Sequence, residues 1–279
     1  MFKITGKEEL AKDITQITVS APIIAQKAKA GQFVVLILDE RGERIPLTLA
    51  DWNKDKETIT LIFQKVGFST QKLGTLNIGD SITHILGPLG HPTEVKNLGT
   101  VVCIGGGVGI AEVYPVSRAF KEAGNRVIGI IGARSKGLLI LENEMHKTCD
   151  ELFITTDDGS YGRKGFVTDV LRELFSVIEK STHTKYPDLI YAIGPVPMMK
   201  AVSQVTKEYQ IKTIVSLNPI MVDATGMCGS CRCTVAGKTV FGCVDGPDFE
   251  AHKIDFEELE ARLNLFREQE NKCVQRQTN

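Results

Sequence analysis

The feature that most narrows the possible folds is the stretch from Gly99 to Gly124, GTVVCIGGGVGIAEVYPVSRAFKEAG, where an apolar run passes through a glycine-rich turn into a helical pattern. The pattern recurs with RVIGIIGA, ELFITTDD, LIYAIGP and TIVSL, each followed by a helical or loop segment. Strands alternating with helices pack as a doubly wound parallel sheet. In the first turn, Gly105, Gly106, Gly107 and Gly109 let the backbone approach a pyrophosphate at a helix N-terminus. Ile110 stands where the third glycine of the dinucleotide fingerprint belongs, so a plain strand-to-helix turn is the competing reading. TTDDGSYG (155–162) and GPVPMM (194–199) also follow strands. All three turns therefore belong to one carboxyl edge, where doubly wound sheets bind ligands.

Before this region, DITQITVS, GQFVVLIL, ETITLIFQKV and SITHIL alternate in short runs separated by Gly, Asp, Lys and Pro, spacing that suits an antiparallel β-barrel. The division expected is a barrel over 1–95, an α/β domain over 96–216 and a distinct segment over 217–279. That last segment shows no regular periodicity until IDFEELEARLNLFREQE, where Phe256, Leu259, Leu263 and Phe266 share one helical face. In the barrel, RIPLT (44–48) sets a guanidinium and a hydroxyl around a stiffening proline, and GFST (67–70) offers amide and hydroxyl donors, both suited to a diphosphate. Each also has an ordinary reading: Arg44 as a solvated strand-end charge, Ser69 and Thr70 as caps of the helix suggested by STQKLGTL.

Four of the seven cysteines, Cys228, Cys231, Cys233 and Cys243, crowd into the last segment, while Cys103, Cys149 and Cys273 are scattered. The N-terminus has no apolar signal region and no stretch approaches a spanning helix, so the chain reads as cytoplasmic and without a membrane. In a reducing compartment the thiol cluster points to metal or an iron–sulfur cluster rather than disulfides. Charge is balanced, 33 basic against 34 acidic residues, which gives no electrostatic case for nucleic acid.

R-x-P-x-T, G-x-S-T, G-P-L-G (87–90), G-G-G-x-G-x-A and G-P-x-x-M-M, in that order and followed by the cysteines, resemble the ferredoxin-NADP reductase superfamily. Within it the whole chain is similar to the small, electron-transfer subunits of the dihydroorotate dehydrogenase B type, and most of all to those of NADH-dependent reduced ferredoxin:NADP oxidoreductase, whose relatives include sulfide dehydrogenase subunits. The resemblance implies FAD held by Arg44, Pro46, Leu47 and Thr48 with Gly67, Ser69 and Thr70. It implies NAD(H) on Gly105, Gly106, Gly107, Gly109, Gly194, Pro195 and Met198. Ile193 stands where many of these reductases place a cysteine, so hydride transfer rests on the flavin. It also implies a [2Fe-2S] cluster on Asp223, Cys228, Cys231 and Cys243, with the aspartate at the position where plant-type ferredoxin spacing expects a cysteine.

A zinc site on Cys228, Cys231, Cys233 and Cys243 is the rival arrangement. Asp157 and Asp158 follow the third strand of the α/β domain, where a carboxylate accepts a ribose 2′-hydroxyl and repels a 2′-phosphate, favouring NAD(H); Arg163, Lys164 and Arg134 nearby act against it. The function expected is an oxidoreductase subunit passing electrons between NAD(H), FAD and a [2Fe-2S] cluster. The outward partner is a larger flavin and iron–sulfur catalytic subunit in a heterodimer, with ferredoxin reached through the complex. A subunit of dihydroorotate dehydrogenase B or of a sulfide dehydrogenase is the alternative, and a non-catalytic redox-sensing or assembly module the alternative of another class.

Overall fold

The computed structural model describes residues 1–40, 42–180, 185–267 and 269. They form two compact units: one of residues 1–92, 218–247 and the described residues from 254 onward, the other of 93–217 and 248–253.

The first unit contains β1 (Phe2–Ala11), β2 (Ile14–Ser20), α1 (Pro22–Lys27), β3 (Phe33–Ile37), β4 (Arg44–Asn53), β5 (Thr58–Gln64), α2 (Phe68–Thr75), β6 (Ser81–Ile82) and β7 (His84–Leu89). Its antiparallel sheet runs β6-β1-β2-β5-β4-β3-β7. The two edge strands are joined by the single residue Thr83, so the sheet curls on itself into a near-closed barrel. Ile17, Val19, Leu36, Leu49, Leu61 and Ile82 fill it. Along β4 the two-residue period sends Ile45 and Leu49 into that core, with Leu47 packed at its margin, and leaves Arg44, Pro46 and Thr48 on the opposite face.

The second unit contains β8 (Thr100–Gly106), α3 (Ile110–Glu122), β9 (Arg126–Ala133), α4 (Glu142–Thr148), β10 (Glu151–Thr156), β11 (Arg163–Lys164), α5 (Val167–Glu179), β12 (Leu189–Ile193), α6 (Val196–Glu208) and β13 (Thr213–Ser216). The sheet order is β11-β10-β9-β8-β12-β13, parallel throughout. Chain order reverses between β8 and β12, which makes their carboxyl ends the switch point of a doubly wound sheet. The helices cover it with apolar stripes: on α5, Val167, Val170, Leu171, Phe175 and Ile178 are buried at helical spacing.

After residue 216 the chain is more regular than its sequence suggests. β14 (Arg232–Val235) and β15 (Lys238–Phe241) form a hairpin, β16 (Asp248–Glu250) adds antiparallel to β13, and α7 (Phe256–Leu263) closes the described chain. Strands of three or four residues hold too few alternations to register as periodic. The hairpin turn also places Ala236 (φ 52°) and Gly237 (φ 73°) at positive φ, with alanine where asparagine or glycine is the usual signal. Residues 218–247 pack with the barrel and 248–253 with the parallel sheet. On α7, Phe256 and Leu259 are buried, while Phe266 lies beyond the helix and is 50% exposed. Cys273 lies outside the described residues.

Candidate functional site

The β14–β15 hairpin positions two of the thiols. Its outermost paired residues are Arg232 and Phe241, so Cys231 and Cys243 flank the open end, tied by Gly242 N–H donating to Cys231 O at 3.0 Å. Their sulfurs are 3.2 Å apart and buried with Phe33, Val35 and Ala224. That exceeds a disulfide bond of about 2.05 Å. Burial, then the Cys231 sulfur beside it, pushes the Cys243 thiol up to about 12.

Cys228 is exposed, with its sulfur 3.3 Å from Ser230 Oγ, and the Ser230 hydroxyl and amide favour its thiolate, holding its pKa below the ordinary value. The intervening loop turns back through Ala224 (φ 62°), Gly226 (φ 88°) and Gly229 (φ 68°). The Gly226 amide is directed at the Cys243 sulfur. Asp223 starts this loop: Thr225 N–H donates to its Oδ2 at 3.2 Å and the Thr225 hydroxyl donates to the same oxygen. Cys233 lies on β14, buried, its thiol pushed up to about 11 by burial and then by Cys231, with Glu258 and Arg262 of α7 nearby. Among the described residues no three His, Cys, Asp or Glu side chains converge as a single bound ion requires.

The barrel site is assembled at the start of β4. Glu43 contacts the Ser69 hydroxyl, which brings the β4 entry to the N-terminus of α2 and draws the R-x-P-x-T and G-x-S-T stretches together. Thr70 Oγ1 accepts from Gly67 N–H at 3.1 Å and donates to Gly67 O, so it caps α2. Arg44 does not end in solvent. Its Nη1 donates to Asp223 O at 3.0 Å and is ion-paired with Asp223 Oδ1.

The switch point of the parallel sheet holds the glycine turn. Gly107 (φ 57°) opens the 3-10 turn Gly107–Gly109, and a Cβ added there would point into open space, leaving room for a ligand at the N-terminus of α3. The other glycines serve packing. A Cβ on Gly109 would strike the Ile193 carbonyl at 2.6 Å, and Met198 closes over both Gly106 and Gly194. Ile193 is a buried strand residue. Loops after β9 and β10 are stitched together by Asp157 N–H to Ala133 O, Asp158 N–H to Arg134 O and Lys136 N–H to Ser160 Oγ. Ser160 hydrogen bonds to Asp158 hold that carboxyl below the usual range, so Asp158 shapes its own loop, although both Asp157 and Asp158 are exposed. Arg163 is paired with Glu173.

Sequence reading missed Ser230, Thr225 and Arg262, whose Nη2 donates to Ser230 O at 3.0 Å. It also missed a buried knot in the second unit. Tyr191 OH donates to Asp248 Oδ1 at 2.8 Å and Thr93 Oγ1 donates to Oδ2 at 2.7 Å. Burial raises the Asp248 carboxyl to about 6. These residues lie far apart in sequence and carry no motif.

Residues 218–255 match the family described as the iron-sulfur cluster binding domain of dihydroorotate dehydrogenase B, and residues 103–204 match the oxidoreductase NAD-binding domain. The chain is 44% identical over 274 residues, 98% of its length and 94% of the relative's, to the dihydroorotate dehydrogenase B (NAD(+)), electron transfer subunit homolog of Thermotoga maritima. It is 30% identical over 257 residues, 89% of its length and 95% of the relative's, to the dihydroorotate dehydrogenase B electron transfer subunit of Fusobacterium nucleatum. A solved structure of NADH-dependent reduced ferredoxin-NADP oxidoreductase, reported for its insights into flavin-based electron bifurcation, matches with a TM-score of 0.92 at 41% identity, covering 100% of this chain and 98% of that one. Phthalate dioxygenase reductase, at a TM-score of 0.57 and 18% identity over 84% of this chain and 85% of that one, shares the fold alone.

Proposed function

Because the chain belongs to the dihydroorotate dehydrogenase B electron-transfer subunit family, we propose that its barrel unit carries FAD and a [2Fe-2S] cluster and its parallel-sheet unit binds NAD(H). It is an electron-transfer subunit of a flavin iron–sulfur oxidoreductase. When bound, FAD supplies the exchange between the two electrons of a hydride and the single electrons an iron–sulfur cluster handles.

The chain's own residues bind and orient these groups. Arg44, with Pro46, Leu47 and Thr48, holds the flavin diphosphate together with the amides that open α2 at Gly67, Ser69 and Thr70. Asp223, Cys228, Cys231 and Cys243 hold the cluster. The turn of Gly105, Gly106, Gly107 and Gly109 receives the dinucleotide pyrophosphate, with Gly194, Pro195 and Met198 packed beside it. Asp157 accepts the ribose 2′-hydroxyl, and the Arg163–Glu173 pair removes one cation that would welcome a 2′-phosphate.

The observation that carries this reading is that residues 218–247 of the matched cluster segment fold into the barrel's own compact unit, with Arg44 on the R-x-P-x-T strand bonded to the aspartate of the cluster loop. A larger catalytic subunit completes the pathway. The 41% identity to the ferredoxin-NADP oxidoreductase chain over all of this chain supports a partner of the bifurcating type, and the 44% identity to the Thermotoga dihydroorotate dehydrogenase B subunit homolog supports a dihydroorotate-oxidising partner as the second reading. Purification under anaerobic conditions tests this: the chain should carry FAD rather than FMN, with iron and sulfide in equal amounts, and should reduce dye acceptors with NADH. Cofactors without turnover would point to a redox-sensing module, and FMN would contradict the diphosphate assignment.

A further inference from the structure

Arg44 and Asp223 stand 179 positions apart, one in the flavin motif and one in the cluster loop, and a single guanidinium nitrogen joins them. Nη1 reaches both the main-chain oxygen of Asp223, at 3.0 Å, and its Oδ1. The other carboxylate oxygen takes the Thr225 amide and hydroxyl. Asp223 is therefore fixed at its backbone and at both carboxylate oxygens. The two side chains are partly shielded, Arg44 being 36% exposed and Asp223 23%. A pair so placed is screened less than a fully exposed surface pair.

On the other side of the same guanidinium, Nε and Nη2 take no protein hydrogen bond among the described residues. Arg44 stands on the β4 face that also carries Pro46 and Thr48, one residue from Glu43, which touches the start of α2. A planar fork with one nitrogen already committed is preorganised for a second anion on its remaining edge, because the side-chain ordering has been met once.

We propose that Arg44 is a positioning residue shared by the two cofactor sites, so that flavin binding and the placement of Asp223 favour one another through one guanidinium. This rests on the reading of the barrel unit as the holder of both FAD and the cluster. Linkage makes the coupling reciprocal: whatever factor Asp223 adds to flavin affinity, bound flavin returns to the placement of Asp223. The sign is positive because the two partners use different donors of the fork. Competition for the same nitrogen would give the opposite sign.

The test is a double-mutant cycle on the full-length chain, read by FAD titration and by EPR of the reduced cluster. Asp223→Asn keeps shape and removes charge, and Arg44→Gln removes the fork. Cys228→Ser removes an exposed cluster thiol without touching Arg44, so it reports cluster loss alone. We expect Asp223→Asn to weaken FAD binding at least fivefold beyond Cys228→Ser, and Arg44→Gln with Asp223→Asn to fall short of the product of the single effects. Arg44→Lys, which keeps the charge and loses the fork, should shift the EPR spectrum of the cluster although lysine replaces a residue of the flavin motif. Equal FAD affinities in Asp223→Asn and Cys228→Ser, tighter FAD in Asp223→Asn, or an unshifted spectrum in Arg44→Lys would each overturn the coupling. A wild-type chain that takes up both cofactors while the effects multiply independently removes the coupling and leaves the proposed function standing. A wild-type chain that takes up neither removes both.

Discussion

The glycine turn at the switch point gives a prediction in which stability and binding separate residue by residue. A methyl group on Gly109 would lie 2.6 Å from the Ile193 carbonyl oxygen and 2.9 Å from Gly194 Cα. Those separations are roughly 0.6–0.9 Å short of the 3.5 Å at which such atoms sit comfortably. Both obstacles are backbone at the end of β12, so no side-chain rotation relieves them. Gly109→Ala should therefore cost about 1–3 kcal/mol, the usual range for overpacking. That corresponds to a melting temperature lower by roughly 3–12 °C for a unit of this size. Gly107→Ala is the contrast. Its Cβ meets nothing within 4 Å, and only the positive φ of 57° opposes it, at about 1 kcal/mol. The new methyl would instead occupy the space at the start of α3, so NADH affinity should fall at least tenfold while melting falls by only about 3–4 °C. Gly106→Ala meets the flexible Met198 side chain and should be milder than Gly109→Ala. Differential scanning fluorimetry and NADH titration of the three variants read both quantities. If Gly109→Ala melts with wild type, or Gly107→Ala binds NADH normally, the reasoning fails.

Other outcomes follow from single groups. Asp248 has its carboxyl raised to about 6, so its contribution is present below about pH 4 and is lost as pH rises through 6. Asp248→Asn, which mimics the protonated form, should gain about 2–3 kcal/mol on wild type between pH 4 and pH 7 in urea unfolding, and a pH-independent difference would count against this. The Cys243 thiol, raised to about 12, must lose its proton to solvent in order to bind a metal, so cluster reconstitution should release protons and weaken as pH falls. Cys243→Ser should abolish the cluster absorbance and Cys233→Ser should retain it; the reverse pattern would restore Cys233 as a ligand. Asp157→Ser should raise kcat/KM for NADPH relative to NADH by about tenfold, or 1.4 kcal/mol, whereas Asp158→Ser should mainly loosen its loop, seen as lower stability.

Much of this was written locally. The βα alternation, the glycine turn after β8 and the barrel runs each depend on residues within a few positions of one another, and each is found where its pattern placed it. The hairpin that brings Cys231 beside Cys243 was not legible, because its strands are too short to show a period and its turn uses Ala236. The different surroundings of Asp157 and Asp158 were likewise hidden: both carboxylates look alike in TTDDGS, and only the Ser160 hydrogen bond to Asp158 tells them apart.

The sequence by itself determined the doubly wound unit, the barrel and the thiols available for a cluster, since periodicity, turn chemistry and ligand type are properties of neighbouring residues. Tertiary structure alone decided that residues 218–247 join the barrel rather than stand apart, that β16 leaves them to extend the parallel sheet, and that Arg44 meets Asp223. The physical reason is common to all three. A short segment without enough apolar surface for a core must bury what it has, Ala224, Cys231 and Cys243, against a larger body, Phe33 and Val35 of β3. Which body that is depends on packing between residues far apart in the chain, and no local pattern records it.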